Sequence, residues 1–179
     1  MRSVSSAAGS SGAGSGGAGA AGLLDPAAIR LDARAEDRDD AVRQCGRLLV
    51  EIGAVEEAYV ASMLDRERSI STYLAEGVAI PHGTAAGKDA VRRDALAVVR
   101  FPEGADWNGH TVTLAIAIAA RGDGHIGILA ELAQILMDPG RARALRGATA
   151  AEEIVRLLRP ADQETDPDHD HDEEQEPAQ

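Results

Sequence analysis

Between Thr111 and Ala120 the chain reads TVTLAIAIAA, ten residues with no charge and only two hydroxyl groups. A bilayer-spanning helix needs about 20 apolar residues, so the run is too short to be one. The alternating Leu, Ile and Ala favour a strand buried on both faces, at the centre of a sheet with helices on either side. The rest of the chain must supply those covering layers. Apolar residues make up 44% of the 179, but aromatics only 2%: Tyr59, Tyr73, Phe101 and Trp107. The core must therefore be built from Leu, Ile, Val and Ala, and the length suits one domain of ordinary size.

Periodicity assigns the other elements. Residues 37–52 read as a helix with Val42, Cys45, Leu49 and Ile52 on one face, acidic residues at its start and Gly53 as its stop. Cys45 lies on that apolar stripe and is read as packing, not redox chemistry. A second helix covers about 56–67, packing through Tyr59, Val60, Met63 and Leu64. Residues 71–74 and 78–80 are short extended pieces, 94–101 a strand, and PEGADWNG (102–109) a loop. Helices follow at 125–137 and 141–146, and Thr149 with Glu152 has the spacing of a capping box for a last helix to about 158. Residues 23–33 are read as a short opening before the first helix. Helices, strands, then helices make one α/β domain with a sheet covered on both faces. Strand order is not legible.

The ends differ from the middle. Residues 1–22 are nearly all Gly, Ser and Ala, the composition of a flexible lead. Residues 161–179 carry nine acids and no Lys or Arg, an acidic tail in which His169 and His171 are read as incidental rather than metal-binding. The net charge is −12 for the chain but only −4 for residues 23–160. Such a balance disfavours nucleic acid as a partner, because phosphate binding needs a surplus of cations. One cysteine excludes an internal disulfide framework and a cysteine-based zinc site. With no spanning run and no secretory leader, the expected place is the cytoplasm.

Chemistry concentrates in GVAIPHGT, residues 77–84. Pro81 cannot donate a ladder hydrogen bond and should take the chain out of the sheet, presenting His82 at a strand tip. Ligands of α/β sheets are usually met there, and a neutral imidazole is a nucleophile. By spacing alone His82 reads more readily as a turn histidine satisfied by backbone. His125 is a second case: the apolar strand ends in Arg121-Gly122-Asp123-Gly124, and His125 opens the next helix, whose free N–H groups attract anions. Asp123 is read as a cap of that helix, His110 as a surface turn residue, and Trp107 as a core plug. GTAAGKD (83–89) only superficially suggests a nucleotide phosphate loop: it has one residue too few between the glycines, and Asp replaces the magnesium-binding Ser or Thr.

LDRERSISTYLAEGVAIPHGTAAGKD (64–89), FPEGADW (101–107) and AIAARGDGHIGILAEL (117–132) resemble the mannitol/fructose-type enzyme IIA domains of the bacterial sugar phosphotransferase system, more closely the mannitol type. The resemblance covers about Leu23 to Leu158 and departs in the two ends and a shorter loop before Thr111. It implies an α/β sandwich with a mixed sheet of about five strands. It implies that His82 accepts a phosphoryl group from phospho-HPr on its ε2 nitrogen and passes it to a cysteine of a IIB domain. The same resemblance makes His125 a supporting, unmodified histidine and Arg66 an active-site arginine. The sugar is handled by a membrane IIC partner and not by this domain, and neither cofactor nor metal is implied. Phosphoryl transfer is compatible with such a set, since positioning and electrostatic support dominate it. A regulatory module, in which phosphorylated His82 controls binding to a target protein, is the alternative reading. A metal hydrolase built on His82 and His125 lacks a carboxylate pair at ligand spacing.

Overall fold

The computed structural model describes residues 19–159; the lead over 1–18 and the tail over 161–179, with His169 and His171, lie outside them. Its elements are β1 (Leu24–Arg30), α1 (Arg38–Glu51), α2 (Ala58–Ser69), β2 (Tyr73–Ala75), β3 (Val78–Ala79), β4 (Ala95–Trp107), β5 (His110–Ala119), α3 (Gly124–Met137), α4 (Pro139–Gly147) and α5 (Ala151–Leu157). Short 3-10 helices occupy Ala20–Leu23 and Ala85–Ala90. The sheet is mixed, in the order β1-β4-β5-β3-β2. β4 and β5 are antiparallel, whereas β1 runs parallel to β4 and β3 parallel to β5.

The apolar run is the central strand. Leu114, Ile116 and Ile118 point to one side of β5 and Ala115, Ala117 and Ala119 to the other, and all six are fully buried. Helix α1 packs on α2 and against β4 and β5, while α3, α4 and α5 pack in series against β5 and β1, so helices cover both faces. Cys45 is fully buried in this core, and burial pushes its thiol up to about 12, in keeping with a packing role.

Helix starts follow local chemistry. The side chain of Asp37 accepts from Asp40 N–H at 2.8 Å to cap α1. Asp138 accepts from the N–H groups of Gly140 and Arg141, and Pro139 occupies the first helical position, which starts α4 two residues before the expected 141. The expected Thr149–Glu152 capping box does not form. Ala150 takes the cap position without a side-chain bond, and Thr149 N–H instead reaches Glu153 at 3.3 Å.

Three further expectations need correction. The fold begins before residue 23: Ala20 is fully buried and its N–H donates to Glu131 at 2.9 Å, so residues 19–22 belong to the domain. Residues 24–30 form edge strand β1, hidden in the sequence because Asp25 and Pro26 break its apolar pattern; the pairing shifts register at that break, where an edge strand tolerates proline. Residues 102–109 are not a loop. β4 continues through a register shift between Arg100 and Ala105 that absorbs Pro102, and only Asn108 and Gly109, both at positive φ, turn the chain into β5.

That extension carries Trp107 fully into the core, where its indole N–H donates to Oε1 of Glu67 at 2.7 Å. Glu67 is itself buried, and every group it meets is a donor: Thr72 N–H and hydroxyl, Ser71 hydroxyl and the indole. One carboxylate thus ties the end of α2, the approach to β2 and the β4–β5 hairpin together. Replacing Trp107 by Phe keeps the ring but leaves this carboxylate one donor short. The expected cost is about 1–3 kcal/mol, seen as a lower denaturation midpoint with an unchanged denaturant slope.

Candidate active site

Two neighbouring parallel strands, β3 and β5, run toward the same edge of the sheet, and each is followed by a histidine-bearing segment. His82 follows β3 through Ile80 and Pro81; His125 lies in the first turn of α3, after the Arg121–Asp123 turn that leaves β5. Their ring centroids stand 6.4 Å apart with planes inclined by 23°. The strand tips thereby bring together the two histidines that the sequence separates by more than forty positions.

Pro81 ends the regular ladder but does not free the chain. Its carbonyl accepts from Ile118 N–H at 2.9 Å, and His82 still bridges to Ile118. His82 is half-buried and held, and not lifted clear of the sheet. Its Nδ1 lies 2.9 Å from the carbonyl oxygen of Ile80. A carbonyl only accepts, so the proton resides on Nδ1 and the lone pair of Nε2 is left for chemistry. Burial holds the imidazole pKa below its ordinary value, helped by the nearby charges of Arg66 and His125 and opposed by the Ile80 carbonyl and Glu67. At neutral pH the ring is therefore uncharged.

The loop after His82 is fastened to α2. Tyr59 hydroxyl donates to Ile118 carbonyl at 2.8 Å and accepts from Gly83 N–H at 2.9 Å. Ser62 hydroxyl accepts from Thr84 N–H at 2.8 Å and lies 3.0 Å from the Thr84 hydroxyl. The contact leaves no room for side chains: a Cβ on Gly83 would meet the Tyr59 ring at 2.5 Å, and one on Gly87 would meet Ser62 Oγ at 2.0 Å. These glycines allow the backbone of the loop to approach the helix closely. Tyr59, Ser62 and Arg66 recur at helical spacing on one face of α2, a signal present in the sequence but masked by the apolar residues among them.

A cleft of ≈ 50 Å³ separates the two imidazoles, with Thr84, Lys88 and Ala120 also on its walls. Arg66 lies near enough for its charge to act on His82, yet it is not on those walls; its guanidinium donates to the carbonyl of Ile70 at 2.5 Å. The histidine pair is thus assembled, and the arginine stands near it, bonded to Ile70 and off the walls of the cleft. Asp123 precedes α3 but makes no side-chain cap bond; it accepts from Lys88 Nζ at 2.9 Å instead. That pairing holds its carboxyl below the usual range. Lys88, dismissed in the sequence with its false phosphate-loop pattern, is a wall of the site. His110 is the first residue of β5, not a turn residue, and stacks on Tyr73 at 4.3 Å. Among the described residues no group of three or more His, Cys, Asp or Glu side chains is placed to hold a metal, and no helix is long and apolar enough to cross a membrane.

Comparison with known proteins agrees with this geometry. The family model for the phosphoenolpyruvate-dependent sugar phosphotransferase system, EIIA 2, matches residues 22–160. The chain is 44% identical over 126 residues to the multiphosphoryl transfer protein of Escherichia coli O157:H7, covering 70% of this chain but spanning only 34% of that protein. It is 35% identical over 134 residues to the mannitol-specific phosphotransferase enzyme IIA component of Staphylococcus aureus strain MRSA252, covering 75% of this chain and 93% of the relative. Enzyme IIA mannitol of E. coli, in its complex with phosphorylated enzyme IIB mannitol, superposes with a TM-score of 0.70 at 34% identity, covering 76% of this chain and 98% of that one. The chain belongs to the EIIA 2 family of the phosphoenolpyruvate-dependent sugar phosphotransferase system: it is an enzyme IIA domain, a phosphotransferase component whose relatives include mannitol-type proteins.

Proposed function

We propose that this domain relays a phosphoryl group through His82 for sugar uptake, with mannitol the sugar its relatives indicate. The group comes from phospho-HPr and leaves to a cysteine of a IIB component that serves a membrane IIC transporter, and the relay runs in the cytoplasm. The observation that carries this reading is the state of His82. Its Nδ1 is tied to Ile80 at 2.9 Å, its Nε2 is free, and the ring faces His125 across an open cleft.

In the first half-reaction the Nε2 lone pair attacks phosphorus in line. The donor's P–N bond breaks, and its electron pair stays with the donor imidazole. The Nδ1 proton remains on the His82 ring, shared with Ile80. The second half-reaction repeats the displacement, with the acceptor thiolate as nucleophile and the His82 ring as leaving group. The transition state is loose and spreads charge over three oxygens, so fixed donors around it matter most. In this reading His125 supports those oxygens and is not itself modified; its ring, 6.4 Å from that of His82, supports the assignment. Arg66 joins them by releasing Ile70. The likeness to an enzyme IIA bound to phosphorylated IIB supports a IIB partner, and the multiphosphoryl relative supports a phosphoryl-transfer protein as donor. The regulatory alternative is not favoured: the mannitol component of S. aureus is 35% identical to this chain, whereas the nitrogen regulatory protein IIA-Ntr of Neisseria meningitidis, which also matches nearly end to end, is 27% identical.

Incubation with labelled phospho-HPr and then with a IIB domain tests the relay. His82→Ala is expected to take up no label while keeping its far-ultraviolet circular dichroism; acid-labile phosphate on that variant overturns the assignment. His125→Ala is expected to remain phosphorylatable at His82 but to transfer about 10²-fold more slowly, and equal rates in variant and parent exclude a supporting role. The pH dependence follows from the depressed pKa of His82. Only the neutral ring attacks, so labelling should be level above neutrality and fall with acid through a midpoint below the ordinary histidine value near 6.5. In an NMR titration of the His82 ring, Arg66→Gln should raise that midpoint, because a cation that opposes protonation is gone.

A further inference from the structure

The walls of the cleft between His82 and His125 carry one permanent charge, the ammonium of Lys88. Its side chain is mostly covered, at 31% exposure, while its partner Asp123, at 2.9 Å, is 85% exposed. An ion pair whose carboxylate stands largely in water is weak and readily exchanged. The backbone beneath Lys88 is fixed: Gly87 lies flush against Ser62, and Thr84 is bonded to the same hydroxyl. With that backbone held, a change of partner by Lys88 falls to its side chain, which lines the cleft.

Phosphorylation changes what that ammonium meets. A phosphoryl group on Nε2 of His82 brings about two negative charges and three acceptor oxygens into a space whose other walls are hydroxyl, aromatic, alanine, glycine and imidazole groups. A dianion there outcompetes the single, water-exposed charge of Asp123. We propose that Lys88 is a switching phosphoryl ligand, held by Asp123 while His82 is free and transferred to a phosphoryl oxygen when His82 carries the group. The exchange moves no proton and breaks no covalent bond; the P–N bonds form and break as in the relay on His82, on which this inference rests. It gives the site a cation in the cleft itself, which the present orientation of Arg66 does not. It also gives Asp123 a role other than the helix cap its position suggests: it stores the ammonium and competes for it.

The test uses the full chain, labelled phospho-HPr and five proteins: parent, Lys88→Met, Lys88→Arg, Asp123→Asn and the Lys88→Met/Asp123→Asn double variant. Lys88→Met is expected to slow labelling by about tenfold or more, and Lys88→Arg to restore most of the rate. Asp123→Asn should speed labelling in the parent background and have no effect in the Lys88→Met background, which a merely structural role for either residue would not produce. Raising salt should slow the parent more than Lys88→Met. Labelling of Lys88→Met at the parental rate, failure of Lys88→Arg to rescue, or equal effects of Asp123→Asn in both backgrounds overturns the proposal. If the parent itself takes no label on His82, the relay reading fails first; if the parent labels normally and Lys88→Met equals it, only the role of Lys88 falls.

Discussion

The parallel pairing of β3 with β5 is the constraint on which the site depends. β3 is only two residues long, Val78 and Ala79, matched to Leu114 and Ala115, and the register is extended by the bonds of Gly77 to Thr113 and of Pro81 to Ile118. Because the strands are parallel, their carboxyl ends lie at the same edge of the sheet, and whatever follows each must meet there. Slipping this short strand by one residue would turn Val78 and Ala79 over and swing His82 away from His125. A central strand buried on both faces anchors that register: β5 cannot slip by one residue without exchanging its Leu/Ile row for its Ala row, which overpacks one face and leaves cavities on the other.

Around this anchor, α2 acts as a brace. Tyr59 and Ser62 bond the backbone just after His82, and Glu67, one turn further on, gathers Thr72, Ser71 and Trp107. Thr72 in turn accepts from Ile80 N–H at 2.9 Å, and the Ile80 carbonyl holds Nδ1 of His82. A continuous set of hydrogen bonds therefore runs from a buried carboxylate to the imidazole. Its consequence is chemical as well as mechanical, since the proton fixed on Nδ1 decides which nitrogen is the nucleophile. Partial burial adds to this by keeping the ring neutral.

Much of this was legible beforehand, for reasons that differ by residue. Thr111–Ala120 reads as a central strand because it is a short, uncharged aliphatic run bounded by Asn108-Gly109 and Arg121-Gly122, the length and flanks of a strand buried on both faces. His82 and His125 stood out because each follows an apolar strand. Strand β1 was hidden by Asp25-Pro26, and the second half of β4 by Pro102 and Gly104, since local breakers in these strands are absorbed by register shifts that only pairing partners can stabilise. The Thr149–Glu152 spacing misled in the other direction, because a side chain one position away satisfied Thr149.

What the order of amino acids settles by itself is local: which segments are apolar enough to be strands, where the helices begin, and that two imidazoles follow strand ends. Strand neighbours, the orientation of Arg66, and the meeting of Lys88 with Asp123 across 35 positions arise only from the folded chain. The physical reason is that hydrophobic periodicity fixes which face of an element is buried but carries no information about which element it is buried against. Side-chain bonds at a site are made between elements, after that choice, and so the tertiary structure alone determines them.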